Sequence, residues 1–161
     1  MKKILGRFRD EHKGLRYHRL SIKPHQMMEM KFNTHKNLAE DYAHRIWDKK
    51  DLSAVDELLH EKVIIHSPLG DLHGRDAMKK VLQVWFQGFP DLVVENTWVR
   101  VEQDTVKIQW NACGTHLGEF KGVPPTGNHV RYSGVTIYRI QDNKIVEYWA
   151  QLDMGHILDQ I

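Results

Sequence analysis

Apolar positions recur at two different periods along the chain, and the change from one to the other marks its organisation. Leu38, Ala39, Tyr42, Ala43, Ile46 and Trp47 stand three and four residues apart, which predicts an amphipathic helix over about 34–49, opened by Asn33 or Thr34. After Asp51 a second, short helical stripe runs through Leu52, Val55, Leu58 and Leu59. The run KVIIHSP at 62–68 is rich in β-branched residues and reads as a strand. Beyond turns at Gly70 and Gly74, Met78, Val81, Leu82, Trp85 and Phe86 return to helical spacing. That third helix stops at Gly88, the usual left-handed position past a helix end.

From the GFPD turn onward, strand-like segments follow over about 91–102, 104–116, 129–140 and 144–153, before a short C-terminal helical turn. Helices first and strands afterwards predict an α+β fold, with a strongly curved antiparallel sheet packed on three N-terminal helices. Strands of this length must twist and curl around the helices, which gives a cone with a pocket.

Alternation then assigns faces. In 104–116, Val106, Ile108, Trp110, Ala112, Gly114 and His116 share the buried side, and Lys107, Gln109, Asn111, Cys113 and Thr115 the other. The hairpin around Asp142-Asn143 admits two registers. A two-residue type I′ turn sets Glu147, Trp149, Gln151 and Asp153 opposite Tyr138, Thr136, Gly134 and Tyr132. A bulged turn instead sets Val146, Tyr148, Ala150 and Leu152 there, and one residue of slip exchanges the faces. The bulged turn is favoured because it sends Glu147 and Arg139 outward together, where they can pair. The outer face keeps Val135, Ile137 and Trp149, apolar enough for a homodimer contact through the sheet.

Composition narrows the function classes. At 161 residues and 41% hydrophobic content the chain suits one domain with one core. Residues 1–30 carry eight Lys or Arg against three acids, a net of +5, whereas 31–161 carry fifteen against eighteen. The expectation is a basic, loosely ordered extension over 1–30 ahead of a domain over 31–161. Neither a signal peptide nor a membrane span is indicated, and the single cysteine, Cys113, suits a reducing compartment, so a cytoplasmic location is expected. HEKVIIH at 60–66 spaces its histidines six apart across a helix-to-strand boundary, which does not make a zinc motif. Gly118, Gly122 and Gly127 do not form a phosphate loop. No metal, nucleotide cofactor or specific nucleic-acid partner is expected.

The stretch GTHLGEFKGVPPTGNHVRYSGVTIYRIQDNKIVEYW at 114–149, with HGRDAMKKVLQVWFQGFPDL upstream, closely resembles the SnoaL-like polyketide cyclase (ester cyclase) family of the nuclear transport factor 2-like superfamily. The resemblance covers about 34–160 and implies the cone fold, a deep hydrophobic pocket for a small molecule, commonly a dimer, and cofactor-independent aldol ring closure. It also implies an acid/base aspartate on the last strand, in a family pattern like IVEEWDVWD. Here that position is Ala150, and a family pocket histidine on the preceding strand corresponds to Thr136.

Ala150 cannot move a proton. His116 and His66 are therefore the candidate bases, because imidazole titrates near neutrality. Trp110, Tyr132, Thr136, Tyr138 and Tyr148 join Ala150 as the expected pocket wall, with Tyr132 and Tyr148 as donors to developing negative charge. Two expectations follow: a SnoaL-like protein performing proton-transfer chemistry on an oxygenated hydrophobic ligand, or a non-catalytic ligand-binding or dimeric interaction module.

Overall fold

The computed structural model describes residues 22–161. Helix α1 (Pro24–Ala43) runs on through a π-helical turn, His44–Asp48, into α2 (Ser53–Leu58) and β1 (Leu59–Ser67). Strand β2 (Gly70–His73), α3 (Arg75–Gly88), β3 (Val93–Glu102), β4 (Thr105–Thr115), β5 (His129–Gln141), β6 (Lys144–Leu152) and α4 (Met154–Leu158) follow. The α+β class is as expected, with four α-helices among the described residues rather than three.

Helix α1 starts ten residues before the predicted boundary. Pro24 occupies its first turn, where a missing N–H costs nothing, and the Lys23 N–H donates to Gln26 Oε1 at 3.0 Å. Thr34, read as a cap, lies inside the helix and its hydroxyl donates to the Met30 carbonyl. Residues 24–30 are thus helical rather than loosely ordered; the rest of that expectation, over 1–21, lies outside the described residues.

The six strands form one sheet in the order β2-β1-β6-β5-β4-β3. It is mixed, not purely antiparallel: β1 lies parallel to β6, pairing Ile65 with Tyr148 and His66 with Trp149. Two strands so distant in sequence are free of the reversal a hairpin imposes, and periodicity carries no record of their direction. The segment read as turns between Gly70 and Gly74 contains β2, which pairs with β1 from Ser67↔Gly70 to Ile64↔His73.

At the β5–β6 hairpin, both Asp142 and Asn143 have positive φ, 48° and 57°, and Gln141 pairs with Lys144. This is the tight two-residue turn, not the bulged one. The register slips farther along, between Ile140↔Ile145 and Arg139↔Glu147, which leaves Val146 as the extra residue. That slip restores the faces expected from the bulged turn, but with Tyr138, Thr136 and Gly134 opposite Tyr148, Ala150 and Leu152.

Between sheet and helices lies one apolar core that includes Ile46, Leu59, Ile65, Met78, Leu82, Phe89, Ile108, Phe120, Ile140 and Ile145, each at most 1% exposed. In β4 every second residue from Val106 to Gly114 is buried, as alternation predicts, and His116 follows in the same phase.

Candidate functional site

Cross-strand register builds the site. Trp110 stands opposite Gly134, and Ala112 opposite Tyr132. Gly134 has no side chain, so the Trp110 indole can lie across it: a Cβ there would come 2.4 Å from Cζ2 of the ring. In that position Trp110 Nε1–H donates to Thr136 Oγ1 at 2.9 Å, in a buried bond. Trp110, Tyr132 and Thr136, with Tyr148, Ala150 and Leu152, form the sheet side of a cavity. Its helix side is Val81, Leu82 and Trp85 of α3, and Trp47, Val94, Ser67 and Pro68 lie half-buried around it. The free volume is about 30 Å³, close to the share of one water molecule in the liquid.

Five of the six expected wall residues meet there: Trp110, Tyr132, Thr136, Tyr148 and Ala150. Tyr138 does not. It lies behind Tyr148, edge-on to it at 5.5 Å between ring centroids, and edge-on to Tyr42 at 5.8 Å. Trp47, Ser67 and Pro68 were not anticipated, because they come from the first predicted helix and the end of the 62–68 strand, whose place beside β4–β6 local pattern does not give. Trp85 was read as core and is both core and wall.

Among the described residues the cavity wall carries hydroxyl and indole N–H donors and no carboxylate or imidazole. Burial pushes the Tyr148 phenol up to about 12, with a smaller opposing effect from the Thr136 hydroxyl. Burial, and then the neighbouring Cys113 thiol, raises Tyr132 further. Both phenols are therefore protonated near neutral pH and can donate hydrogen bonds, but cannot act as bases.

Neither histidine read as a candidate base reaches this space. His116 is fully buried, its ring 5.6 Å from that of Phe89. The Thr126 N–H donates to His116 Nδ1 at 3.2 Å, and Thr126 Oγ1 lies 3.0 Å from the same nitrogen. Nδ1 is thus an acceptor, the proton sits on Nε2, and Nε2 has no partner among the described residues. Backbone bonds from His116 N–H to Asn128 O and from Gly127 N–H to His116 O close the base of the loop between them. The loop is held to the end of α3 by Leu117 and Gly118 N–H groups, both donating to Gly88 O, and by Phe120, which packs on Trp85 and Phe89. His116 is therefore a latch for the loop, occupied by Thr126.

His66 lies on the other face of the sheet. Its ring stacks on Trp149 at 5.3 Å, with Nε2 2.9 Å from Glu147 Oε1 and Nδ1 3.2 Å from Asp71 Oδ1. Arg139 donates to Glu147 Oε2 through two nitrogens, at 2.7 and 3.0 Å. The hydrogen bond to Glu147 raises the His66 pKa, with Asp71 adding to it against a desolvation that lowers it. Burial pushes the Glu147 carboxyl up, but the bonds from His66 and Arg139 outweigh it and hold the group below its ordinary value. This is a clamp between β1, β2, β5 and β6, outside the cavity. No group of three or more His, Cys, Asp or Glu among the described residues is arranged to hold a metal ion.

Comparison with protein families matches residues 37–161 to the SnoaL-like polyketide cyclase family. The chain belongs to that family. Among solved structures it is similar to AclR from Streptomyces galilaeus, a proposed hydroxylase, at 29% identity over 79% of this chain and 80% of that one, with a TM-score of 0.70. It is similar also to IdmH from Streptomyces antibioticus, a proposed polyketide cyclase, at 30% identity over 75% and 96% of the two chains, with a TM-score of 0.64. A proposed SnoaL-like polyketide cyclase from Jannaschia sp. CCS1, 24% identical over 78% and 92%, shares the fold with a TM-score of 0.71. No curated protein sequence matches the chain. In the cavity wall of this SnoaL-like protein, Ala150 stands opposite Thr136 in the β5–β6 ladder.

Proposed function

We propose that this SnoaL-like protein binds a flat, hydrophobic, oxygen-bearing small molecule in the cavity beneath Trp110, where no described residue offers a general base with which to transform it. One observation carries the reading: the cavity wall is aromatic and aliphatic, its polar side-chain groups being the hydroxyls of Ser67, Tyr132, Thr136 and Tyr148 and the indole N–H groups of Trp47, Trp85 and the committed Trp110. Such a wall recognises carbonyl or phenolic oxygens on an apolar body. Aldol ring closure needs a group to take a proton beside a carbonyl, and a positioned acid/base contributes roughly 10² to 10⁴ in rate; Ala150 offers neither. Phenols can steady an enolate delivered ready-made, but they do not generate one here.

A free volume of about 30 Å³ is far below the ~300 Å³ or more that a bound ligand fills, so ligand entry displaces the half-buried Trp47, Pro68 and Leu152. The sheet wraps the helices as a cone in this reading, its wide end at those residues. Pairing of two copies through Val135, Ile137 and Trp149 on the outer face accompanies it.

The test is a titration of aromatic ketones, quinones and β-dicarbonyls, followed by tryptophan emission and thermal shift. Trp47, Trp85 and Trp110 line the cavity, so a bound ligand quenches them, and at 100 times its Kd it adds about 2.7 kcal/mol of stability. Filling the cavity with Ala150→Trp should abolish the response. Turnover of any β-dicarbonyl by the unmodified protein, abolished by the same substitution, would overturn the non-catalytic reading.

A further inference from the structure

Pairing between β1 and β6 stops before β6 does. The last pair is His66↔Trp149. Strand β1 then turns back through Pro68 into β2, with Ser67 paired to Gly70, and proline has no N–H with which to continue a ladder. Strand β6 runs on to Leu152, so Ala150, Gln151 and Leu152 have no partner from β1. The missing rungs leave a notch in the sheet, with a free volume of about 430 Å³. The notch and the cavity beneath Trp110 share four wall residues, Ser67, Pro68, Ala150 and Leu152, each half-buried. The partition is thus one side chain thick, and at position 150 it is a methyl group. The cavity also adjoins a surface groove at Trp47 and Val94, but there the barrier is a whole indole packed edge-on against Phe86. By itself the cavity, at about 30 Å³, lies far below the ~300–1,000 Å³ of small-molecule sites, and the notch falls within that range.

Beyond the partition the wall changes character. Asp71, His66 and Gln151 line the notch from β2, β1 and β6. Its charges are balanced locally, because His66 stands between the Asp71 and Glu147 carboxylates and Glu147 is paired with Arg139. Neither sign of ligand charge is favoured. What stays open to a ligand is the hydrogen-bonding capacity of Asp71, whose side chain is 76% exposed, and of the exposed Gln151 amide. Hydroxyl groups suit such a wall, since each both donates to a carboxylate and accepts from an amide.

We propose that the ligand is amphiphilic and spans the partition: its flat apolar body lies beneath Trp110, and an uncharged, hydroxyl-rich arm, the chemistry of a glycoside, passes between Pro68 and Ala150 into the notch to meet Asp71 and Gln151. The inference rests on the ligand-binding reading of the cavity and adds the polar half of the molecule. Asp71, on β2, is three strands from the Val135 and Ile137 patch on β5, which puts that end of the notch outside the face through which two copies pair.

The test compares two flat aromatic ketones with their glucosides, apigenin with its 7-O-glucoside and emodin with its 8-O-glucoside, titrated into the full chain and followed by tryptophan emission. At least one glucoside is expected to bind about tenfold more tightly than its aglycone. Asp71→Ala and Gln151→Ala should each weaken the glucoside about threefold to tenfold at unchanged aglycone affinity and circular dichroism. Gln151→Trp, which fills the notch from outside, should abolish the advantage and keep aglycone binding. Aglycones that bind as well as their glucosides, or better, overturn the inference and leave the cavity reading standing. A glucoside advantage that survives Gln151→Trp overturns it too, as does glucoside binding that survives Ala150→Trp, because the arm or the body then lies elsewhere. Binding of none of the four compounds overturns this inference and the cavity reading together.

Discussion

Trp110 stands directly opposite Gly134 in the β4–β5 ladder, and its indole lies where a side chain at 134 would have to go. The absence of one Cβ thereby sets the shape of the cavity wall. Gly134→Ala would place a carbon 2.4 Å from Cζ2 of the ring and 2.7 Å from the Gln151 carbonyl oxygen. The expected loss is about 1–3 kcal/mol, the usual range for overpacking, accompanied by a change in tryptophan emission as the ring is displaced. Urea unfolding followed by fluorescence measures both.

The Trp110 to Thr136 hydrogen bond is buried, so its partners should not behave additively. Thr136→Val leaves the indole N–H without an acceptor and is expected to cost about 1–3 kcal/mol. Adding Trp110→Phe removes the stranded donor at the price of some packing. A double-mutant cycle by denaturant unfolding should show a coupling of about 0.5–3 kcal/mol; strict additivity would mean that the bond contributes nothing.

Gly118 is required by a close approach, since a Cβ there would lie 2.0 Å from the Gln87 carbonyl oxygen. Backbone cannot yield as a flexible side chain can. Gly118→Ala is expected to pull the loop off α3, break the Leu117 and Gly118 bonds to Gly88 O, and expose Phe120. Limited proteolysis should then cut within 117–127 of the variant, leaving the unmodified protein intact.

The His66 clamp makes a pH-dependent contribution to stability. Its folded pKa is raised by Glu147 and Asp71, so the stabilisation is fully present below the ordinary histidine value of about 6.5 and fades as pH rises through the folded value. The Glu147 carboxyl is held low; its share is present above the ordinary glutamate range and is lost in acid. His66→Gln should therefore lower Tm most near pH 5.5–6.5 and converge on the unmodified protein at alkaline pH. A pH series of thermal melts checks the sign; a gap that widens above pH 8 would contradict it.

Ala150→Asp places a carboxyl opposite Thr136, at the cavity wall. Desolvation should raise its pKa, so the variant is expected to lose stability as pH climbs from about 4 through the raised value. A base poised in that range suits proton abstraction. Turnover of a β-dicarbonyl by the variant and not by the parent would show that the carboxyl is the missing component.

Much of the site was legible along the chain. Alternation in β4 placed Trp110, Ala112 and His116 on the buried side, and the family resemblance singled out Ala150 and Thr136, which do face one another. Tyr138 lies on the expected face but is covered by Tyr148, a matter of depth that a period of two does not encode. The parity of β6 came out as expected although the turn did not, because the slip occurs at Val146 and not at Asn143. His66 was read as a candidate base from its residue type. One position along β1, Ile65 points to the core and His66 to Glu147 on the opposite face.

By itself the sequence determined what depends on near neighbours: the order of most helices and strands, the buried side of β4, and the family. Those follow from backbone stereochemistry and side-chain alternation, which act over a few residues. Only the tertiary structure decided that β1 runs parallel to β6, that His66 spans Asp71 and Glu147, that Thr126 occupies His116, and that Trp47 and Pro68 complete the cavity. Each of these joins residues from separate segments, from five positions apart for His66 and Asp71 to 81 for His66 and Glu147. Their contact is fixed by how the elements assemble around the common core, not by the local pattern that makes each element.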